Sequence, residues 1–409
     1  MNSITLILFL LGFVLLIAGA ELLVRGASRL AMAAGISPLV VGLTVVAYGT
    51  SSPELAVTIQ STYAGQADLA IGNVVGSNIA NVLLVLGVTA SVSPLVIDQK
   101  LVRKEIPLMI GISFLLLALG LDQKIGLIDG LIFTAGAIAY TVFVIGQSRK
   151  EIKVIHEEYD LEFDGDKAKI TGPLVLLTQI IFIIVGLGLL VVGSRWLTDG
   201  AIVLARLFGV SELVIGLTVI AIGTSLPEIA TSVVACLRNE QDIVVGNIVG
   251  SNIFNILFVL GLGSIVSPNG IDVSATALAF DIPVMIAIAI ACLPIFFSDN
   301  RIARWEGALF LGYYVAYTMY LYLQATRHSA LIPFSNVMLL FVVPITIVTL
   351  VVVYFRELKA NQRQTKIAEK VERTLSAQPQ APQPYRNPPP ALDAELEKIA
   401  ASPHGKETE

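Results

Sequence analysis

Residues 35–56 read GISPLVVGLTVVAYGTSSPELA, and residues 209–230 read GVSELVIGLTVIAIGTSLPEIA. The offset is 174, and 15 of the 22 positions are identical. The same offset pairs GNVVGSNIANVLLVLG (72–87) with GNIVGSNIFNILFVLG (246–261). It also maps Asp68 onto Asp242, and Ser93, Pro94 and Asp98 onto Ser267, Pro268 and Asp272. With a slip of two or three residues, KEIPLMIGI (104–112) falls beside FDIPVMIAI (280–288). The chain is therefore an internal duplication, and each copy must fold as one unit of a paired structure.

What surrounds these motifs is apolar. Of the 409 residues, 55% are hydrophobic and 14% charged, against about 25% charged in an average soluble domain. Mean hydropathy is +0.81. Such a chain is neither a soluble globule nor disordered. A helix needs about 20 mostly apolar residues to cross a bilayer. Eleven stretches qualify: 4–24, 36–63, 69–93, 105–121, 126–146, 173–194, 210–237, 243–267, 280–297, 304–323 and 332–355. They are continuous apolar runs without period-2 alternation, which predicts helices rather than a barrel. The first is too long, and too uncharged at its start, for a secretory signal peptide.

Five spans fall in each copy. An odd number forces the second copy into the membrane upside down, the inverted-repeat architecture of secondary transporters. The expected fold is an all-α polytopic membrane protein of 5+5 transmembrane helices plus one extra C-terminal helix. The expected divisions are a first repeat at 1–146, a linker at 147–171, a second repeat at 172–324, helix 11 at 325–355 and a charged, Pro-rich tail at 356–409. If loops alternate sides, one side holds 13 Lys and Arg and the other only Lys124, Arg195, Arg206 and Arg327. The rich side should be cytoplasmic. That places the N-terminus outside the cell (inner) membrane, and the linker and tail inside. The tail, with QPQAPQPYRNPPP at 378–390, reads as a solvated segment, with no partner assigned.

The two cysteines, Cys236 and Cys292, lie in apolar runs, and there are three histidines. That excludes a disulfide framework and a thiolate or imidazole metal site. A net charge of −5 gives no reason to expect nucleic acid. Nothing resembles soluble enzyme chemistry, and no cofactor is called for.

The duplicated motifs are polar interruptions at membrane depth. In Gly49-Thr50-Ser51-Ser52-Pro53-Glu54 and Gly223-Thr224-Ser225-Leu226-Pro227-Glu228, proline has no N–H to donate. Pro53 frees the carbonyl of Gly49 and loosens that of Thr50; Pro227 does the same for Gly223 and Thr224. Gly49, Pro53, Gly223 and Pro227 are thus the expected breaks. Carbonyls, hydroxyls and one carboxylate per copy form an oxygen-only set, which hard cations want. In the second motif Ser77 and Asn81 are i,i+4, as are Ser251 and Asn255, so each pair shares a helix face. Gly72 and Gly76 form a small-xxx-small seam. A glutamate amid a span costs several kcal/mol, and its repetition argues for a task. Two glutamates give −2, which one Ca²⁺ or two Na⁺ would cancel. A low-dielectric pocket penalises net charge, so the two loads compete. His156, His328 and His404 lie in loops or the tail, so proton coupling would have to use the carboxylates.

With these residues in view, the chain resembles the Ca²⁺/cation antiporter superfamily, and within it the prokaryotic sodium/calcium exchangers. The duplicated GTS-x-PE and GN-x-x-GSN-x-x-N segments look like that family's two α-repeats. The resemblance implies ten core helices, ion sites formed by helices 2, 3, 7 and 8, and helices 1 and 6 sliding past that core. It makes Glu54 and Glu228 the central Ca²⁺ ligands, with the backbone carbonyls of Thr50 and Thr224. It assigns Ala47, Ser51, Ser77, Asn81, Ala221, Ser225, Ser251 and Asn255 to flanking Na⁺ or shared sites. Some members carry aspartate where Asn255 stands. Ca²⁺ and Na⁺ are then the transported substrates and the lipid bilayer a partner, with no nucleic acid and with a partner for the tail left open. H⁺/Ca²⁺ exchange on the same scaffold is the alternative, and a cation channel a more distant one.

Three other features have local readings. Glu21 and Arg25, and Arg195 and Asp199 at the same repeat positions, are expected ion pairs or interfacial anchors. Asp68 and Asp242 suit helix N-termini. The acids of the linker lack the spacing of a Ca²⁺ loop.

Overall fold

The computed structural model describes residues 3–97, 101–162, 173–297, 301–349 and 351–352. The expectations for Asp98, for the linker beyond residue 162 and for the tail lie outside those residues. The helices are α1 (Ser3–Ala34), α2 in two limbs (Pro38–Thr50 and Ser52–Tyr63), α3 (Ala67–Val92), α4 (Arg103–Asp122), α5 (Leu127–Glu162), α6 (Pro173–Leu207), α7 in two limbs (212–224 and Leu226–Leu237), α8 (Gln241–Val266), α9 (Ala277–Phe296), α10 (Arg304–Ala325) and α11 (Leu331–Thr349). Eight are long and apolar enough to cross a membrane, and ten if each bent pair counts as one span. α10 has the length but carries Arg304, Glu306 and five tyrosines.

Local chemistry sets the turns, and sets them twice. Gly35 (φ +61°) ends the run of α1, Ser37 caps α2 by accepting from the Val40 N–H, and Pro38 occupies the first turn. The mirror turn has Gly209 (φ +76°) and Ser211, whose hydroxyl accepts from the Val214 N–H. Two short antiparallel ladders clasp the copies to each other. β1 (Leu95–Val96) pairs with β4 (Arg301–Ile302), and β2 (Lys124–Ile125) with β3 (Ile271–Asp272).

Three boundaries differ from expectation. α1 runs on past residue 24 to Ala34, and α6 past 194 to Leu207. Glu21 pairs with Arg25 one turn on, at 2.5 Å, so charge alone does not stop the helix. The φ-positive glycines do. α5 continues to Glu162, so residues 147–162 of the expected linker are helical.

α1 and α6 cross antiparallel along a glycine seam that the sequence reading passed over. Glycines recur every seven residues, at 12, 19 and 26 in α1 and at 186, 193 and 200 in α6. A Cβ on Gly19 would sit 2.7 Å from the Gly186 carbonyl oxygen, and one on Gly193 2.8 Å from the Leu16 nitrogen. Only hydrogen fits there, so the two backbones touch. Gly19→Leu is expected to force them apart and cost about 1–3 kcal/mol or more. A fall in the melting temperature of the purified protein checks it; an unchanged melt would mean that the seam is not tight.

Candidate functional site

The breaks fall at Ser51 and Ser225, not at the glycines. Ser51 (φ −80°, ψ 6°) and Ser225 (φ −88°, ψ 4°) leave the helical basin, and the limbs bend by 43° and 56°. Pro53 and Pro227 lie in the first turn beyond, where a missing N–H costs nothing. Gly49 and Gly223 are helical, and a Cβ there would strike Leu187 and Thr198 of α6. Their role is close approach, a correction to their reading as breaks.

This break places each acid. Glu54 and Glu228 stand in the first turn of a second limb, where unpaired N–H groups favour an anion. The first limbs end opposite with carbonyls, which favour a cation. Both carboxylates are 1% exposed and lie within electrostatic reach of each other. Thr50, Ser51, Ser77, Asn81, Ser225, Ser251 and Asn255 are buried with them. Ser77 Oγ lies 3.5 Å from Glu54 Oε1. Thr50 Oγ1 donates to Asn247 Oδ1 at 3.0 Å and lies 3.5 Å from Ser251 Oγ. The structure thus gathers these residues from both copies into one pocket. Ala47 is buried beside them, whereas its mirror Ala221 is exposed and Thr224 only half-buried.

What these oxygens lack is telling. Among the described residues, ten buried side-chain N or O atoms have no hydrogen-bond partner. Seven belong to residues singled out from the sequence: Ser51 Oγ, Glu54 Oε2, Asn81 Oδ1, Ser225 Oγ, both carboxylate oxygens of Glu228, and Asn255 Oδ1. An eighth is Thr231 Oγ1, on the same limb as Glu228. Buried polar atoms are nearly always satisfied, so this set stands out. All eight are oxygens.

Several members were not foreseen. Asn73 donates to the Glu54 backbone oxygen at 3.0 Å and to Thr58 Oγ1 at 2.9 Å. Its mirror Asn247 donates to Ser232 Oγ at 3.4 Å. Both asparagines were in the quoted motif, and their duplication was the available signal. Also unforeseen are π-helical turns at mirrored positions: Gly42–Val46 with Gly216–Ile220, Asn81–Leu86 with Asn255–Leu260, and Leu101–Glu105 with Ala277–Asp281. Asn81 and Asn255 open the second pair. Such turns insert one residue into the helix and commonly mark functional sites.

The copies are not in the same state. The first limb of α2 packs along α8, where a Cβ on Gly246 or Gly250 would come 2.7 Å from the Leu39 or Leu43 carbonyl oxygen, and one on Gly42 2.9 Å from that of Ile243. At the mirrored contact, between α7 and α3, a Cβ on Gly216, Gly72 or Gly76 would meet nothing within 4 Å. Val46 is fully buried and its mirror Ile220 is 47% exposed. The α2–α8 seam is sealed, and the mirrored α7–α3 seam stands open. At the sealed end Arg238 forms an ion pair with Glu21, and Ser28 Oγ donates to Glu240 Oε1 at 2.6 Å. Among the described residues Arg195 and Asp199 form no ion pair, so the expected pair in the second copy is not present.

Comparison with known proteins agrees with this architecture. The family described as sodium/calcium exchanger protein matches residues 4–146 and 178–323. The chain is 32% identical over 315 residues to sodium/calcium exchanger MaX1 of Methanosarcina acetivorans, covering 70% of this chain and 89% of the relative. It is 35% identical over 289 residues to inner membrane protein YrbG of Escherichia coli, covering 70% and 87%. A solved structure of the sodium-calcium exchanger NCX_Mj superposes with a TM-score of 0.65 at 30% identity, covering 77% of this chain and 98% of that one. The fold and family define a cation antiporter of the inverted-repeat type. The chain belongs to the sodium/calcium exchanger family.

Proposed function

We propose that this chain exchanges Ca²⁺ for Na⁺ across the cell membrane, with Glu54 and Glu228 sharing one Ca²⁺. The observation that carries the reading is the set of unpartnered oxygens at mirrored positions: Ser51 and Ser225, Glu54 and Glu228, Asn81 and Asn255. Two buried carboxylates leave −2 in a dry pocket. Ca²⁺, held also by the carbonyls of Thr50 and Thr224, neutralises it, and so does a pair of Na⁺ held by the flanking hydroxyl and amide oxygens of Ser51, Ser77, Asn81, Ser225, Ser251 and Asn255 and by the carbonyls of Ala47 and Ala221. Neither load fits beside the other without excess charge, so each displaces the other.

Transport then requires the sealed and open approaches to change places. The first limb of α7 would close on α3 through Gly216, Gly72 and Gly76 as that of α2 now closes on α8. The Lys and Arg count places the sealed end in the cytoplasm and the open end outside. In sealed vesicles loaded with Na⁺, dilution into Na⁺-free buffer is expected to drive ⁴⁵Ca²⁺ uptake. A pH gradient alone is expected to drive none. The reverse pattern would transfer the assignment to H⁺/Ca²⁺ exchange, and sustained single-channel current would replace both with a channel.

A further inference from the structure

At the heart of the pocket four asparagines, two per copy, bond across the duplication. Asn81 Nδ2 donates to Asn252 Oδ1 at 3.1 Å, and Asn255 Nδ2 donates to Asn78 Oδ1 at 3.0 Å. Each bond joins one copy to the other, and the two are mirror images. All four side chains are buried.

The direction of these amides follows from what anchors them. Asn78 Nδ2 donates to the backbone oxygen of Asn252 at 3.1 Å and lies 3.6 Å from Met285 Sδ. A backbone carbonyl and a thioether are acceptors only, so the nitrogen of Asn78 must face them. Its oxygen therefore faces Asn255, and only the nitrogen of Asn255 can meet it. Asn252 Nδ2 faces Met109 Sδ at 3.5 Å, which turns its oxygen toward the nitrogen of Asn81. Met109 and Met285 hold matching places in the two copies. What remains of Asn81 and Asn255 is an oxygen each, buried and without a partner. It sits one turn beyond Ser77, which touches Glu54, or beyond Ser251, which touches Thr50.

We propose that Asn78 and Asn252, which lie outside the ligand set, are positioning residues that hold the amides of Asn255 and Asn81 with oxygen toward the cation. The inference rests on the site reading above and deepens it. An amide turned the other way would present N–H to a cation and repel it. The crossed bonds close off that alternative, and they make each copy's flanking ligand dependent on the other copy. They also bear on aspartate at position 255. A carboxylate there has no proton for Asn78 Oδ1, and Asn78 cannot turn without setting its oxygen against the Asn252 carbonyl.

The test is a double-mutant cycle on the purified full-length chain, with Na⁺ and, separately, Ca²⁺ titrated as probes and the ion-dependent rise in melting temperature as readout. Asn78→Ala is expected to raise the Na⁺ concentration for half-saturation about tenfold, the scale for removing a partner that orients a ligand. Asn78→Ala with Asn255→Ala should be no worse than Asn255→Ala alone, and Asn252→Ala should be likewise silent beside Asn81→Ala. Same-copy doubles, Asn78→Ala with Asn81→Ala and Asn252→Ala with Asn255→Ala, should multiply. A structural role alone would lower the ion-free melting temperature and leave half-saturation unmoved. If an alanine variant does not fold, serine takes its place in the cycle. Wild-type half-saturation in Asn78→Ala, or crossed doubles that multiply, would overturn the positioning role while leaving the site intact. A wild-type protein that responds to neither ion would overturn both.

Discussion

Glu54→Gln and Glu228→Gln should each reduce Na⁺-driven ⁴⁵Ca²⁺ uptake to the level of protein-free liposomes while leaving the protein folded. Glutamine keeps the shape and removes one charge. The pocket then holds −1, and a divalent ion would arrive as an unbalanced +1 among groups that exclude water. Such imbalance costs about 3–5 kcal/mol, and 3 kcal/mol is already about 100-fold in affinity. Stability should move the other way. Glu54 Oε2 and both oxygens of Glu228 lack partners, and the two carboxylates lie within reach of each other. Removing one relieves that repulsion, so the ion-free melting temperature should hold or rise. Both variants should behave alike, because the acids occupy mirrored positions. Transport at the wild-type rate in either one would remove the pair from the ion path. A lower ion-free melting temperature would mean that the acid braces the fold.

The second large effect concerns the unequal seams. Gly76→Ala adds a methyl where nothing lies within 4 Å, whereas Gly250→Ala drives one to 2.7 Å from the Leu43 carbonyl oxygen. The first should fold well, and replacing glycine within a helix adds up to about 1 kcal/mol of stability. Its transport should nevertheless fall at least tenfold, because in the proposed cycle the first limb of α7 closes on α3 through that surface. The second should destabilise the present arrangement by about 1–3 kcal/mol. Thiol labelling gives a direct check. Ile220→Cys should react with a membrane-impermeant reagent and Val46→Cys should not, since native Cys236 and Cys292 are buried. Unimpaired transport by Gly76→Ala would show that closure does not use the α3 face.

Much of this was legible because the chain states it twice. A glutamate after Gly-Thr-Ser-x-Pro in one span is ambiguous; its copy 174 residues on makes it a pair, and five spans per copy invert that pair. What escaped the reading has physical causes. Asn78 and Asn252 stood in the quoted motif, but the motif does not say which amide atom faces inward; the Asn252 carbonyl and Met285 decide that across the fold. Gly49 and Gly223 looked like breaks because glycine and proline share that role in loops, yet here they make room for α6. α1 and α6 outrun their apolar stretches because charge does not end a helix when it is paired: Glu21 is neutralised within the helix and by Arg238. A repeat also conceals its own difference of state: Val46 and Ile220 are nearly the same residue, and only coordinates place one inside and the other outside.

The ties to the turn after α7, from Glu21 to Arg238 and from Ser28 to Glu240, have no twin among the described residues. At the mirrored turn stand Ala64 and Gln66, and Arg195 takes the place of Glu21. Equal halves would carry the same ties at both ends; these two do not. The Glu21–Arg238 ion pair is partly exposed, and a pair of that kind contributes about 0.2–1 kcal/mol and weakens with salt. In the exchange proposed above, added salt should therefore loosen the closed end without touching the proposed ligands.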